Sequence, residues 1–566
     1  MHQAQINWDE QEKKVAELAI RNWNDYDAFY KWLLNKNEIE TEISEAASWC
    51  QINYYCYTNN TQYQKDFQLF VTHIQPKLEP LFFKLNQKLC SSQYAEKLDS
   101  KIFSVYLKRL RTSLTLYNEN NIPLHSQIAL LSQKYAETCS TLQIIYKEQN
   151  YNLAAAAKFL EYHDRNVRQE VYEKIQHSRL AVMETIDDLL SQIIQCRKAV
   201  AHNAGFKNYR DYRFEELCRF DYNTTDCQNF YQAIIKYCLP KIDKMYARKK
   251  KYLQLSSLKP FDLEVDIYAS QPLTPVNSIT ELIQKTSEIL YSIEPEFLQY
   301  FERMQQQQHL DLGSRLNKAP GGFNMALMKT GVPFIFMNSS KGLTDIITLI
   351  HETGHAIHNF SCFNLPIIGL KEVPLEMAEL ASMGLELLSL NHWNLMSHSK
   401  IDFIRMKIYQ LERIIQLFPN VVLIDAFQHW LYENPDHSLI QRKEKWTELI
   451  ETLTPKLLDR TEYEKFYDHS WQRVLHIFEV PFYYIEYGIA QLGAIALWRN
   501  YLNNPTDTIK AYKNALLYGG SLSLKELYQK AGIKFDFSEN YIKELLEFVE
   551  QQLEILYKQI DYESTK

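Results

Sequence analysis

Thr344-Asp345-Ile346-Ile347-Thr348-Leu349-Ile350-His351-Glu352-Thr353-Gly354-His355-Ala356-Ile357-His358 carries a helical signature and a chemical one in the same fifteen residues. Ile346, Ile347, Leu349 and Ile350 fit one apolar helix face, Thr344 is a candidate cap, and Asp345 suits a first turn whose amides lack partners. At 3.6 residues per turn, His351 and His355 sit about 40° apart on one face and about 6 Å apart along the axis, so two imidazoles can meet one ion. Glu352 is about 100° round from His351 and can reach water beside such an ion without being a ligand. The blander reading of H-E-x-x-H is a buried amphipathic helix with packed histidines, which the apolar lead-in also fits.

Upstream, Asn317-Lys318-Ala319-Pro320-Gly321-Gly322 is a glycine-dense turn, and Val332-Pro333-Phe334-Ile335-Phe336-Met337-Asn338 reads as a short strand. Thr330-Gly331 could turn a hairpin between that strand and Phe323–Met328. A small sheet immediately before the histidine helix is therefore expected, and Val332–Asn338 could offer backbone groups to an extended ligand.

Downstream, a catalytic zinc needs a third protein ligand and an open position. A second histidine motif would require glycine at 358 and histidine at 361, but the chain has His358 and Ser361. Carboxylates are the remaining candidates. Pro374 suits the start of a helix Leu375–Leu390 that carries Glu376, Glu379 and Glu386, and spacing does not choose between Glu376 and Glu379. Glu372, just before that helix, could orient a ligand histidine or be exposed. His358, two turns from His351, could touch the site or be a packed histidine.

The rest of the chain is mostly α in texture. Apolar residues recur at helical spacing from Glu12 to about Tyr162, as in Leu69, Phe70, His73, Ile74 and Leu78. Helices continue through Arg179–Ala201, stop near Asn203-Ala204-Gly205, and resume over Cys227–Leu255 before an irregular stretch from Ser256 to Val276. With 14 glycines and 17 prolines in 566 residues, turns are scarce, which disfavours an all-β fold. A net charge of −7 offers no surface for nucleic acid, and Arg248-Lys249-Lys250-Lys251 reads as a solvated helix face. Nine cysteines without a C-x-x-C pair point to reduced thiols and a cytoplasmic setting; the start of the chain does not read as a signal peptide, and no apolar run is long enough for a membrane.

His351-Glu352-Thr353-Gly354-His355 followed by Glu372-Val373-Pro374-Leu375-Glu376-Met377-Ala378-Glu379 resembles the site of the thimet oligopeptidase and oligoendopeptidase F family of zinc metallopeptidases, the oligoendopeptidase branch in particular. The likeness extends to Lys318–Phe323, Pro333–Asn338, Tyr209–Tyr212 and Arg219–Tyr222, and covers roughly residues 164–546. It implies a mostly α, two-lobed helical gluzincin-type fold, with a small β-sheet beside the active-site helix and a deep substrate channel. A helical amino-terminal region, 1–163, would precede a catalytic domain, 164–566. The resemblance places the third ligand of one Zn2+ per chain on Glu379, beside His351 and His355, with Glu352 as general base. It also draws attention to His476-Ile477-Phe478-Glu479-Val480-Pro481-Phe482-Tyr483-Tyr484-Ile485-Glu486-Tyr487. There the family's oxyanion donors fall on His476, Tyr484 and Tyr487, although the segment is one residue shorter than the family pattern and Tyr483 rivals Tyr484. The implied activity is internal cleavage of short peptides. The alternatives are a dipeptidyl carboxypeptidase and a non-enzymatic peptide-binding protein, and oligomeric state is left open.

Overall fold

Sparse glycine and proline let the chain run through long helices, and side-chain caps fix where many begin. In the computed structural model, which describes residues 6–269, 271, 273–319, 321–339 and 342–563, Asn7, Asp25 and Asp99 accept amide hydrogens at the starts of Trp8–Ile20, Tyr26–Cys56 and Ser100–Leu116. The readings at Met1–Gln5, Pro272 and Pro320 lie outside the described residues. Val15, Leu18, Phe29, Trp32, Leu85 and Leu89 form an amino-terminal core, and Ile367 and Leu370 from beyond the histidine helix enter the same cluster. Leu131 and Tyr135 join a second core with Ile193, Phe427 and Trp471. A further cluster sets Trp49, Ile52 and Cys56 against Leu327, Phe334 and Phe336, so the amino-terminal helices pack onto the body at several places.

The largest core unites the histidine helix Leu343–Cys362, the glutamate helix Leu375–Ser389, the long helix Lys400–Glu433, the tyrosine helix Tyr484–Asn503 and the last helix Glu539–Glu563. The glutamate helix is buried on almost every side, its glutamates and serines included. Its first turn follows Pro374, as the sequence suggests, whereas the histidine helix is capped at Gly342, whose amide donates to Asp345 at 2.8 Å. Thr344 therefore lies inside the first turn, and Asp345 supplies the capping oxygen.

Strands β1 (Gln143–Tyr146) and β2 (Gln149–Asn152) make a hairpin inside the region read as helical. Its turn, Lys147-Glu148, takes positive φ at both residues without the Asn or Gly that would have signalled it. The expected small sheet precedes the histidine helix, with β3 (Leu310–Gly313), β4 (Phe323–Met325) and β5 (Phe334–Ser339) in the order β3-β5-β4. β4 and β5 are antiparallel with Asn324 opposite Ile335, and the connecting loop contains Thr330-Gly331. β3 was not anticipated; it pairs with β5 in parallel, so both edges of β5 are occupied. At Ile335 and Phe336, which are paired on both sides, no extended ligand can be added, and β4 is the edge strand on its side of the sheet. Lys318, a glycine-turn residue, donates from Nζ to Asp311 O, Gly313 O and Met337 O and ties the turn to β3 and β5.

The basic run is less solvated than expected. Lys249 donates to Leu263 O and Val265 O, and Arg248 reaches Tyr268 and Asp561, so these residues fasten the irregular stretch and the last helix. All nine cysteines are free. Among the described residues no helix is long and apolar enough to cross a membrane.

Candidate metal centre

The histidine and glutamate helices touch backbone to backbone at Gly354. A Cβ there would stand 2.5 Å from Ser382 Cα and 2.7 Å from Ala381 O, so only glycine permits this approach. The contact brings Glu379 under the histidines. His351 Nε2 is 3.4 Å from Glu379 Oε2, His355 Nε2 is 3.8 Å from Glu379 Oε1, and the imidazole rings are 4.9 Å apart. Ligands around a tetrahedral ion with bonds of about 2.0–2.3 Å are about 3.3–3.7 Å apart, so two nitrogens and a carboxylate here suit zinc.

Charge is arranged to match. Burial would raise the Glu379 carboxyl, but His355, His351 and the Tyr483 hydroxyl outweigh it and hold it at about 2. Burial pulls His351 down, yet hydrogen bonds to Glu379 and Glu386 outweigh that and hold it well above its usual value. His355 is pushed by burial to about 4. A nitrogen lone pair, a carboxylate and a position that attracts positive charge are thus gathered at one point. Glu386 Oε1 accepts from His351 Nδ1 at 2.7 Å, and Gln410 Nε2 donates to Glu386 Oε2 at 2.7 Å. This chain fixes the ring so that Nε2 faces the site. Glu352 is buried beside it, and burial raises its carboxyl to about 7, a suitable value for a group that must gain and lose a proton near neutrality.

The tyrosine helix supplies the facing wall. Phe482, with φ of +66°, is held in a left-handed conformation by Gln428, which accepts its amide at 2.9 Å, and by Arg219, which donates to its carbonyl. That turn aims Tyr483, whose hydroxyl donates to Glu379 Oε1 at 2.5 Å. His476 Nε2 and the Tyr487 hydroxyl share a hydrogen bond at 3.1 Å, and burial pushes His476 to about 4, keeping its ring neutral.

Two family matches cover most of the chain: Peptidase family M3 over residues 158–547 and Peptidase M3 N-terminal domain over residues 1–117. The chain belongs to peptidase family M3. Among curated relatives of this M3 chain, an oligoendopeptidase F homolog of Lactococcus lactis subsp. lactis is 23% identical over 57% of this chain and 53% of its own length. The plasmid oligoendopeptidase F of Lactococcus lactis subsp. cremoris is 22% identical over 72% of this chain and 66% of its own. The aligned stretch thus spans from about half to just under two thirds of those relatives. A solved structure described as PZ peptidase A with inhibitor 2 shares the fold, with a TM-score of 0.93, 23% identity and 98% of each chain covered.

Other residues singled out in this M3 sequence fall as follows. Glu376 points away from the histidines and accepts from Tyr222 at 2.6 Å, so it is Glu379 that faces them. Glu372 is held by Arg109, which donates to its carboxylate at 2.5 Å and its carbonyl at 2.7 Å; the carboxylate that steadies His351 is Glu386. His358 is a packed core histidine with both ring nitrogens unbonded. Tyr484 stacks edge-on against His476 at 4.8 Å, whereas the Glu379 carboxylate bonds Tyr483. Tyr483 directly follows the left-handed Phe482, and spacing alone carries no sign that it, and not Tyr484, reaches Glu379. Two clefts of about 670 and 480 Å³ separate the amino-terminal helices from the body and share Gln75, His125, Tyr212 and Glu216. The second reaches the tyrosine segment through Glu479 and Pro481.

Proposed function

We propose that this M3-family chain is a zinc-dependent endopeptidase that hydrolyses internal bonds of short peptides in the cytoplasm. The observation that carries the reading is the convergence of His351, His355 and Glu379 within ligand distance, with Glu352 and the Tyr483–Tyr487 wall beside them. His351, His355 and Glu379 would hold one zinc ion. When bound, the ion supplies Lewis-acid chemistry that acidifies water and polarises a carbonyl.

The chain's own groups do the rest. Glu352 takes a proton from the attacking water as the new C–O bond forms, then delivers it to the leaving nitrogen as the C–N bond breaks. Tyr487, which accepts from the Nε2–H of the neutral His476, donates its own hydroxyl proton to the carbonyl oxygen as that oxygen gains negative charge. Tyr483 holds Glu379 in place, and Tyr484 packs behind His476 to fix its ring. An extended peptide pairs with the edge strand β4, where the Asn324 amide lies against the Glu352 carboxylate. Confinement between the two lobes limits substrates to short, flexible peptides.

The test is cleavage of an internally quenched peptide of about nine residues, before and after chelation and zinc restoration, beside Glu352→Gln. Internal cleavage lost on chelation and in the variant supports the reading. Release of carboxyl-terminal dipeptides alone, abolished by amidating the substrate, would instead identify a dipeptidyl carboxypeptidase. Tight binding of many peptides without cleavage by the zinc-loaded protein would identify a binding protein.

A further inference from the structure

Behind the Phe482 turn, Cys227, Asp425 and His429 bring a thiol, a carboxylate oxygen and an imidazole nitrogen within 4.8 Å of one another. All three are buried, Asp425 completely. Cys227 comes from the helix Thr224–Tyr237, and Asp425 and His429 come from successive turns of the long helix packed against it. His429 Nε2 is 3.5 Å from Asp425 Oδ2, a ligand-to-ligand spacing expected around a tetrahedral zinc.

Hydrogen bonding does not account for these groups. The Tyr231 hydroxyl donates to Asp425 Oδ2, but Asp425 Oδ1 and His429 Nε2 have no hydrogen-bond partner although both are buried. Groups of this kind are normally satisfied in a folded protein, because leaving them unpaired forfeits their hydration without return. Arg219, a cation whose charge influences Cys227, is itself paired with Glu486 at 2.8 Å. A divalent cation would satisfy the orphaned oxygen and nitrogen together. Its soft third donor would be the thiolate, a combination that favours zinc over calcium or magnesium.

We propose that Cys227, Asp425 and His429 form a second, structural zinc site, distinct from the His351–His355–Glu379 centre. Binding replaces the Cys227 thiol proton, which is released to solvent as the sulfur–metal bond forms. The site clamps the two helices behind the active-site wall, since His429 packs edge-on against Phe482 at 5.3 Å and its neighbour Gln428 holds the Phe482 amide. Its effect on the centre would be to position Tyr483.

Cobalt substitution tests this without relying on activity. The His351–His355–Glu379 centre has no sulfur ligand, so a thiolate-to-cobalt charge-transfer band in the near ultraviolet can come only from a cysteine site. The full chain, stripped of metal and reloaded with cobalt, is expected to bind two equivalents and show that band. Cys227→Ser and His429→Gln are each expected to lose one equivalent and, with it, the band. One equivalent and no band in folded wild-type protein would overturn the proposal even if the variants fail to fold, as would a band that persists in Cys227→Ser. Failure of the endopeptidase reading would leave this result untouched.

Discussion

Gly354→Ala probes the feature on which the whole centre rests. The added Cβ would stand 2.5 Å from Ser382 Cα and 2.7 Å from Ala381 O, both backbone atoms of the glutamate helix that no rotamer change can move aside. Relieving the overlap to an ordinary carbon contact of about 3.5 Å requires the two helices to part by about 1 Å. Overpacking of that kind costs about 1–3 kcal/mol of stability. The functional loss should be larger, because the same movement draws Glu379 away from His351 and His355, and a 1 Å misplacement costs on the order of 10²-fold in rate. Gly384→Ala, on the facing glutamate helix, serves as the control: its Cβ would meet Leu497 Cδ2 at 3.1 Å, the movable end of a side chain. The assay is kcat/KM on the quenched peptide together with zinc affinity by chelator competition and thermal unfolding. Gly354→Ala is expected to lose zinc affinity and about 10²-fold in kcat/KM, with Gly384→Ala near wild type. A folded Gly354→Ala protein with unchanged zinc affinity and turnover would refute the argument that backbone contact sets the ligand geometry.

Glu352→Gln should lower kcat by roughly 10²–10⁴-fold while zinc content by elemental analysis is unchanged, because the residue moves a proton and is not a ligand. Glu386→Gln should weaken zinc binding by about 10–100-fold in chelator competition, since it removes the carboxylate that orients His351. Tyr483→Phe and Tyr487→Phe should reduce kcat more than Tyr484→Phe does; the reverse order in steady-state kinetics would restore Tyr484 as the donor. Glu479 gives a pH test away from the metal: burial alone raises its carboxyl from 4.5 to about 7. A carboxyl raised in the folded state makes folding less favourable as pH climbs through that interval, so Glu479→Gln should match wild type only below about pH 4. By about pH 8 it should be more stable, by roughly 1 kcal/mol once screening by cleft water is allowed for. Thermal unfolding across that range checks it, and a constant difference between the two proteins would contradict it.

Much of the molecule was written in local sequence. Helical spacing, the rarity of glycine and proline, and the Asn and Asp caps fix helices without reference to distant residues, because capping and amphipathicity act within a few turns. The spacing of His351, Glu352 and His355 likewise sets two imidazoles on one face and a carboxylate beside them, and the hairpin β4–β5 follows from apolar runs around Thr330-Gly331. What lies between segments had to wait for tertiary structure. Spacing left Glu376 and Glu379 equivalent; packing at Gly354 turned Glu379 toward the histidines, while Tyr222 holds Glu376. Glu372 and Glu386 both had the chemistry to steady a histidine, and Arg109, more than 260 residues from Glu372 in sequence, engaged the first. Tyr483, directly after the left-handed Phe482, and not Tyr484, became the neighbour of Glu379, since adjacent residues at a helix start point about 100° apart. The sequence by itself determined which groups could do the chemistry, because residue type and helical period are local properties. Only tertiary structure decided which of them meet, because that depends on how closely two helix backbones can approach.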